Sequence, residues 1–239
     1  MTAATATATD GSLPGTLPQD LAAASLALAR RFAHGATLWC VSPAWPQHAS
    51  HVAVEFVHPV VIGTRALPAV ALDARDAVVA LRANLRAGDV LLLVGAAGDP
   101  AVADLARRAP AWGATVLWLG CGPPPEPGAA DHVLWLPDEP EGPYDGRLTL
   151  LYHLLWELTH VCFEHPGLLE PEPALDASVC LTCSDEGRLA EVVQADGVSA
   201  RVRTPTGVEE IDVALVGDVD PGDLLLVHAG SALTRLAAP

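Results

Sequence analysis

Two cysteines and one histidine in the last sixty residues could bind a metal. Cys180 and Cys183 form a single Cys-x-x-Cys pair, and His228 ends an apolar run near the carboxyl terminus. Thiolates are soft metal ligands and imidazole is a common one. A structural zinc site needs four ligands, and the sequence has no second such pair, which weakens the zinc interpretation. Thioredoxin-like redox chemistry would place the pair in a βαβ unit. His228 alone also fits an ordinary core or surface histidine.

A second set of candidate ligands lies in the first half of the chain. His51 and Glu55 are four residues apart, and on a helix that spacing places both side chains on one face. Imidazoles and carboxylates together can hold a divalent metal such as zinc. The alternative is a solvated helix face. Two polar stripes support that alternative: His48, His51, Glu55 and His58, and His153, Glu157, His160 and Glu164.

The elements that must position the second set alternate between helix and strand. Five apolar strands separated by helices predict a parallel sheet that is covered on both faces. Ligands of such sheets bind outside the carboxyl ends of the strands, here after Val41 and Val94. Asp99 precedes Pro100 and is expected to cap the helix that follows. The expected strands are 36–41, 67–72, 90–94, 115–119 and 132–136, and the expected helices are 19–32, 46–57, 74–86, 100–112 and 148–163.

The periodicity changes in the last quarter of the chain. Short alternating strands are expected at 189–194, 199–203, 209–213 and 224–227, with glycine-containing hairpin turns between them. A unit of this size is most easily a small closed β-barrel, because closure removes exposed strand edges. The predicted organisation is a disordered tail (1–17), an α/β domain (18–165), a proline-rich acidic linker (166–178) and the barrel (179–239).

Bulk composition excludes several classes of function. The 239 residues include 29 acidic and 13 basic residues, which gives a formal net charge of −16. Binding to nucleic acid or to an anionic membrane needs clustered positive charge, so neither is expected. No apolar run has the length of a membrane span, and the first residues lack the pattern of a signal peptide. Five scattered cysteines favour a reducing compartment. A cytoplasmic protein is therefore expected.

Four motifs in the last quarter agree in order with one known family. They are Cys180-Leu181, Leu215-Val216-Gly217, Pro221-Gly222-Asp223 and Leu226-Val227-His228-Ala229-Gly230. Over about residues 179–237 the sequence resembles the HypC/HupF family of nickel–iron hydrogenase maturation chaperones. The continuation Thr182-Cys183-Ser184-Asp185 is similar to a subset of that family. The resemblance implies a small OB-like barrel.

This resemblance implies a carrier rather than an enzyme. Such a chaperone takes an Fe(CN)2CO fragment from a HypD-type scaffold protein and delivers it to the precursor of the hydrogenase large subunit. Cys180 would be the thiolate that binds iron and contacts the partners, His228 its functional companion, and Cys183 a second ligand. Two departures stand out. Cys180 is internal, so it has no free amine unless the linker is cut. The family's carboxyl-terminal helix is expected to shrink to residues 231–236.

Residues 18–165 resemble the sugar isomerase (SIS) domain, of the phosphoheptose isomerase type. The resemblance implies metal or catalytic positions at His51, Glu55, Asp145 and His153, with Asp145 in place of a glutamine, and a homodimer. Loop 42–46 departs from the Gly/Asn/Ser-rich first loop of this family, and loop 95–100 lacks the Ser and Thr hydroxyls that the family's second loop offers to phosphate. A degenerate domain that dimerises, binds a carbohydrate derivative or holds zinc is therefore expected. The alternatives are a sugar-phosphate isomerase and a metabolite-binding sensor. The matching stretches are 51–57, 65–72, 88–93, 113–116 and 153–158.

Overall fold

The computed structural model describes residues 16–60, 63–138, 146–170 and 187–236. Within them lie a five-stranded parallel sheet and a closed five-stranded barrel, which confirms the predicted fold class. The predicted tail, apart from its last two residues, and most of the predicted linker lie outside the described residues. So do Asp145, Cys180 and Cys183.

The α/β unit has its strands in the order β2-β1-β3-β4-β5. Each neighbouring pair is parallel, with β1 between β2 and β3. The elements are α1 (Leu17–Ala33), β1 (Leu38–Val41), α2 (Pro46–Val57), β2 (Ala69–Leu72), α3 (Ala77–Asn84), β3 (Val90–Val94), α4 (Pro100–Arg108), a 3-10 helix (Ala109–Trp112), β4 (Thr115–Cys121), β5 (His132–Leu136), α5 (Gly146–Glu164) and a second 3-10 helix (Pro166–Leu168).

Two apolar cores lie on opposite faces of this sheet, as the apolar strands predicted. The central strand β3 is buried along its whole length, because helices pack on both of its sides. One core joins alternate residues of the strands to α1, α2 and α5. The other joins the remaining strand residues to α3, α4 and the 3-10 helix Ala109–Trp112. Leu17, the first residue of α1, belongs to the first core.

The predicted helix over 100–112 forms as two pieces. As expected, the side chain of Asp99 caps α4, accepting from the backbone N–H of Ala101 at 2.9 Å. The α-helix ends at Arg108 and a 3-10 turn follows. Pro110 explains the change, since it cannot donate the backbone hydrogen bond that would continue an α-helix. Gly113, at φ +83°, ends the turn in the left-handed region.

The barrel strands follow the order β10-β8-β7-β6-β9 and the ring closes. All pairs are antiparallel except β10 with β8, which is parallel. Alternating apolar residues fill the interior, including Val192, Val202 and Val227. The strands are β6 (Arg188–Asp196), β7 (Ser199–Thr204), β8 (Gly207–Asp212), β9 (Leu224–His228) and β10 (Ser231–Arg235).

One expectation for the barrel was wrong. Residues 231–236 were expected as a short helix, but Ser231–Arg235 form β10. This strand pairs with β9 and, through Ser231 and Asp212, with β8, so it closes the barrel. Its Ala232 is fully buried in the barrel. Long-range pairing therefore overrides the local pattern in this segment.

The barrel packs directly on the α/β unit. Leu224 of β9 lies in the core that contains α3 and α4, and Leu189 and Leu236 pack against the same core. At the centre of this contact lies Glu191 of β6, whose residue is only 2% exposed. Its carboxylate accepts hydrogen bonds from three side chains of the other unit: the guanidinium groups of Arg82 and Arg108 and the indole of Trp112.

These contacts compensate the burial of Glu191. Arg82 Nε lies 3.0 Å from one carboxylate oxygen and Arg108 Nη1 2.8 Å from the other. Trp112 Nε1 adds a third donor at 3.0 Å. Burial alone would raise the pKa of Glu191, but the hydrogen bonds from Arg82 and Trp112 outweigh it and lower that pKa. The carboxylate is therefore a charged, fully paired contact between the two units.

The hairpin between β9 and β10 suggests a stability test. Ala229 has φ +49°, followed by Gly230 at φ +76°. An alanine in the left-handed region is strained, whereas glycine is not. We expect Ala229→Gly to raise the free energy of unfolding by about 0.5–1 kcal/mol, measured by urea denaturation. As the matched control, Ala195→Gly on the exposed part of β6 should lower it by about as much. A loss of stability in Ala229→Gly would contradict the assignment.

Among the described residues, none of the helices is both long enough and apolar enough to cross a membrane.

Candidate functional site

Three predicted ligands from two helices meet in one cluster. His51 and Glu55 lie one turn apart on α2, and His153 comes from α5. The Nε2 atoms of the two histidines are 3.3 Å apart. The Oε1 atom of Glu55 lies 3.2 Å from Nε2 of His51 and 3.6 Å from Nε2 of His153. Helix packing thus joins residues that are about a hundred positions apart in the sequence.

This triangle of donor atoms has the size of a metal site. Zinc binds histidine nitrogen at about 2.0–2.1 Å, and tetrahedral geometry then separates neighbouring ligand atoms by about 3.3 Å. The three observed separations of 3.2, 3.3 and 3.6 Å lie close to that value. Two histidines and a glutamate are also the protein ligands of some catalytic zinc sites. The residues therefore fit a divalent ion with further coordination positions left for water or a ligand.

Tyr152 orients His51, and the sequence reasoning missed it. Its hydroxyl lies 2.8 Å from Nδ1 of His51 and donates to Oγ1 of Thr149 at 3.1 Å. A His51 tautomer that donates its Nδ1–H to this hydroxyl would leave Nε2 available to a metal, which is the arrangement typical of metal-binding histidines. Burial raises the pKa of Tyr152, so it stays a neutral phenol.

The solvated-face alternative fails for part of both stripes. His48 is 3% exposed and His160 is 8% exposed. His48 lies 3.4 Å from the Tyr152 hydroxyl, and His160 faces the carbonyl oxygens of Trp156 and Arg65. His58 and Glu157 are exposed, as that alternative expected. The side chains of the cluster are intermediate, at 39% for His51, 18% for Glu55 and 42% for His153. The cluster is therefore backed by buried side chains such as His48 and is open to solvent on its other side.

The loop after β3 differs from a phosphate-binding loop in its electrostatics. The Asp99 carboxylate accepts from the first backbone N–H groups of α4, including Ala101 at 2.9 Å and Val102 at 3.4 Å. These are the groups that would otherwise attract an anion to a helix amino terminus. The Asp99 carboxylate already occupies this position and would repel a phosphate there.

The barrel places His228 at the end of β9, next to the start of β6. In the antiparallel pairing of β6 with β9, Arg188 lies opposite Val227. Continuing that register by one residue puts Gly187 opposite His228. Gly187 is the first described residue after 171–186, the stretch that contains Cys180 and Cys183. His228 itself is exposed at the end of β9.

This register bounds the reach of both thiols. Cys183 precedes Gly187 by four residues and Cys180 precedes it by seven. An extended chain spans at most about 3.3–3.6 Å per residue, so seven residues reach about 25 Å. The other three cysteines, Cys40, Cys121 and Cys162, are buried in the α/β unit, and burial raises the pKa of Cys40 and of Cys162.

Comparison with known families assigns the barrel. Residues 188–238 match the model of the HupF/HypC family. That match covers the barrel described above and includes His228, but begins after Cys180 and Cys183. No relative was found among curated proteins.

Comparison with solved structures assigns the fold of the other unit. A phosphoheptose isomerase from Francisella tularensis is 18% identical, with a TM-score of 0.52, covering 62% of this chain and 88% of its own. A candidate phosphosugar isomerase involved in capsule formation, from Bacteroides fragilis, is 16% identical, with a TM-score of 0.52, covering 61% and 80%. At these identities the likeness shows the fold. The chain thus joins an α/β unit that has the fold of these isomerases to a barrel that matches the HupF/HypC family model.

Proposed function

We propose that this chain is a hydrogenase maturation chaperone that carries the Fe(CN)2CO fragment. The observation that supports this most directly is the HupF/HypC family match over the barrel. A second is the exposed position of His228 at the end of β9, next to the start of β6. The carrier receives its cargo from a HypD-type scaffold protein and releases it to the large-subunit precursor.

The donor chemistry suits an iron cargo. A thiolate is a soft ligand, matched to low-valent iron that carries cyanide and carbon monoxide. In the proposal, Cys180 binds the fragment, Cys183 is a second ligand in place of the missing terminal amine, and the exposed imidazole of His228 assists. Ligands on a short tether can exchange between partners without unfolding the barrel. The buried thiols Cys40 and Cys162 are poor candidates, because burial opposes thiolate formation.

For the α/β unit we propose a divalent metal site on His51, Glu55 and His153, with Asp145 as a further ligand from outside the described residues. The geometry that supports it is the triangle of donor atoms within 4.8 Å of one another. When bound, zinc would supply Lewis acidity and an open coordination position. The chain's own residues hold the donors in place, with the Tyr152 hydroxyl 2.8 Å from Nδ1 of His51.

Metal analysis tests this site directly. We expect the purified protein to retain about one equivalent of zinc per chain after dialysis, measured by plasma mass spectrometry. His51→Ala/His153→Ala should lose it, because two of three close donors disappear. His58→Ala, an exposed histidine one residue beyond α2, is the matched control and should bind as the parent does. Equal zinc content in the double variant and the parent would refute the site.

We propose that the SIS-type unit is a degenerate, non-catalytic domain that dimerises the carrier. Asp99 opposes phosphate at the helix terminus where the fold would bind it. Exposed apolar side chains on the two helices of the metal cluster, Val54 at 47% and Leu150 at 57%, are consistent with a covered surface in a dimer. A sugar-phosphate isomerase remains the competing function, and turnover of a phosphosugar would favour it over our proposal.

A further inference from the structure

Positive side chains gather around one cleft of this strongly acidic chain. The cleft, of about 540 Å³, lies at the amino ends of β1 and β3, away from the loops that follow those strands. Its lining includes Arg30, Arg31 and His34 from the end of α1, and Arg86 from the segment before β3. The sequence has no lysine and 13 arginines, and three of those arginines line this cleft.

The one carboxylate in the lining forms no ion pair with these arginines. Asp89 is 5% exposed, and its oxygens are taken by N–H donors. These are the backbone N–H of Thr37 at 2.8 Å, Trp39 Nε1 at 3.0 Å and the backbone N–H of Arg86 at 2.9 Å. Among the described residues, no carboxylate forms an ion pair with the guanidinium of Arg30, Arg31 or Arg86.

Compensation of the helix dipole explains only part of this arrangement. Arg30 and Arg31 lie in the last turn of α1, where cations are favourable. Arg86 belongs to a separate segment that follows α3, and its side chain is exposed. Nη1 of Arg31 lies beside Gly88, 3.9 Å from the position a Cβ would take there. The two segments therefore both contribute arginines to the lining of one cleft.

The chemistry of the lining selects the ligand. Guanidinium groups present paired donors that match the oxygens of phosphate. The volume falls within the range of small-molecule sites, about 300–1,000 Å³. Arg30 is already held in place, since its Nε donates to the carbonyl of Leu168 at 3.0 Å. We infer that this cleft binds a small molecule through a phosphate group, at the sheet edge opposite the carboxyl ends of the strands.

Calorimetry of the full chain with inorganic phosphate at low ionic strength tests the inference. We expect saturable binding that weakens about tenfold or more in Arg31→Ala/Arg86→Ala, which removes two charged hydrogen-bonding groups. Arg75→Ala/Arg201→Ala removes two exposed arginines elsewhere and is the matched control, expected within about twofold of the parent. Absence of saturable binding, or an equal loss in the control, would overturn the inference.

A second measurement needs no variant. In amide correlation spectra of the parent protein, phosphate should shift the backbone signals of Gly35 and Gly88, which line the cleft on its two sides. Saturation of these shifts with the calorimetric affinity supports the site. Shifts confined to the loop 95–100, after β3, would place phosphate at the other edge of the sheet and overturn it.

Discussion

Cys180→Ala should abolish hydrogenase activity in cells that depend on this chain for maturation. The substitution removes the thiolate that we propose binds the iron cargo, and no imidazole or carboxylate replaces a soft ligand for low-valent iron. The purified variant should also lack the infrared bands of cyanide and carbon monoxide that the loaded carrier would show. Hydrogenase assays of cell extracts, with infrared spectra of the isolated chain, make both measurements.

The control for this prediction is another thiol in the same chain. Cys162→Ala removes a cysteine that is 8% exposed in the α/β unit, and maturation should remain near that of the parent. His228→Ala should impair cargo binding, because this exposed imidazole is the proposed companion of the Cys180 thiolate. Full maturation by Cys180→Ala would refute the carrier role. Loss of maturation in Cys162→Ala as well would indicate that the variants misfold and that the loss is not specific to Cys180.

Glu191→Ala should destabilise the protein by about 3 kcal/mol or more. The substitution leaves Arg82 and Arg108 without their shared carboxylate in the contact between the two units. Removing one partner of a buried ion pair typically costs about 3–5 kcal/mol. The lower end of that range is expected here, because Arg82 is 35% exposed and Arg108 keeps its ion pair with Asp104. Guanidinium chloride unfolding, followed by tryptophan fluorescence, measures the change. Trp112 reports on the contact directly, since its indole donates to Glu191.

A surface pair provides the comparison. Arg188 and Glu209 also form an ion pair, but their side chains are 34% and 33% exposed. Glu209→Ala should therefore cost about 1 kcal/mol or less. Equal losses in the two variants would show that burial at the domain contact is not the source of the stability.

The same carboxylate gives the stability a defined dependence on pH. The folded protein holds the pKa of Glu191 below its ordinary value of 4.5. The unfolded chain therefore binds the proton first, and the contribution is fully present above the ordinary pKa. It disappears as the pH falls through the lowered pKa of the folded state. The acid limb of the stability curve should be shallower in Glu191→Ala than in the parent, and an unchanged slope would contradict this assignment.

Local sequence patterns determined most of the architecture. The alternation of apolar strands with helices predicted the parallel sheet, since strands buried on both faces must be apolar throughout. Helical spacing placed His51 beside Glu55, and Asp99 before Pro100 predicted the cap of α4. The short alternating strands predicted the closed barrel. Each of these inferences needs only residues that lie a few positions apart.

Contacts between distant residues were decided by the tertiary structure alone. Residues 231–236 lack a local signal for strand, yet β10 forms because the barrel closes through it. Tyr152 gained its role only when α5 packed on α2, and His153 joined His51 in the same way. Glu191 lies in an ordinary strand pattern, and nothing in the sequence indicated that Arg82 and Arg108 would enclose it. Packing free energy depends on which surfaces meet, and that information is spread over the whole chain.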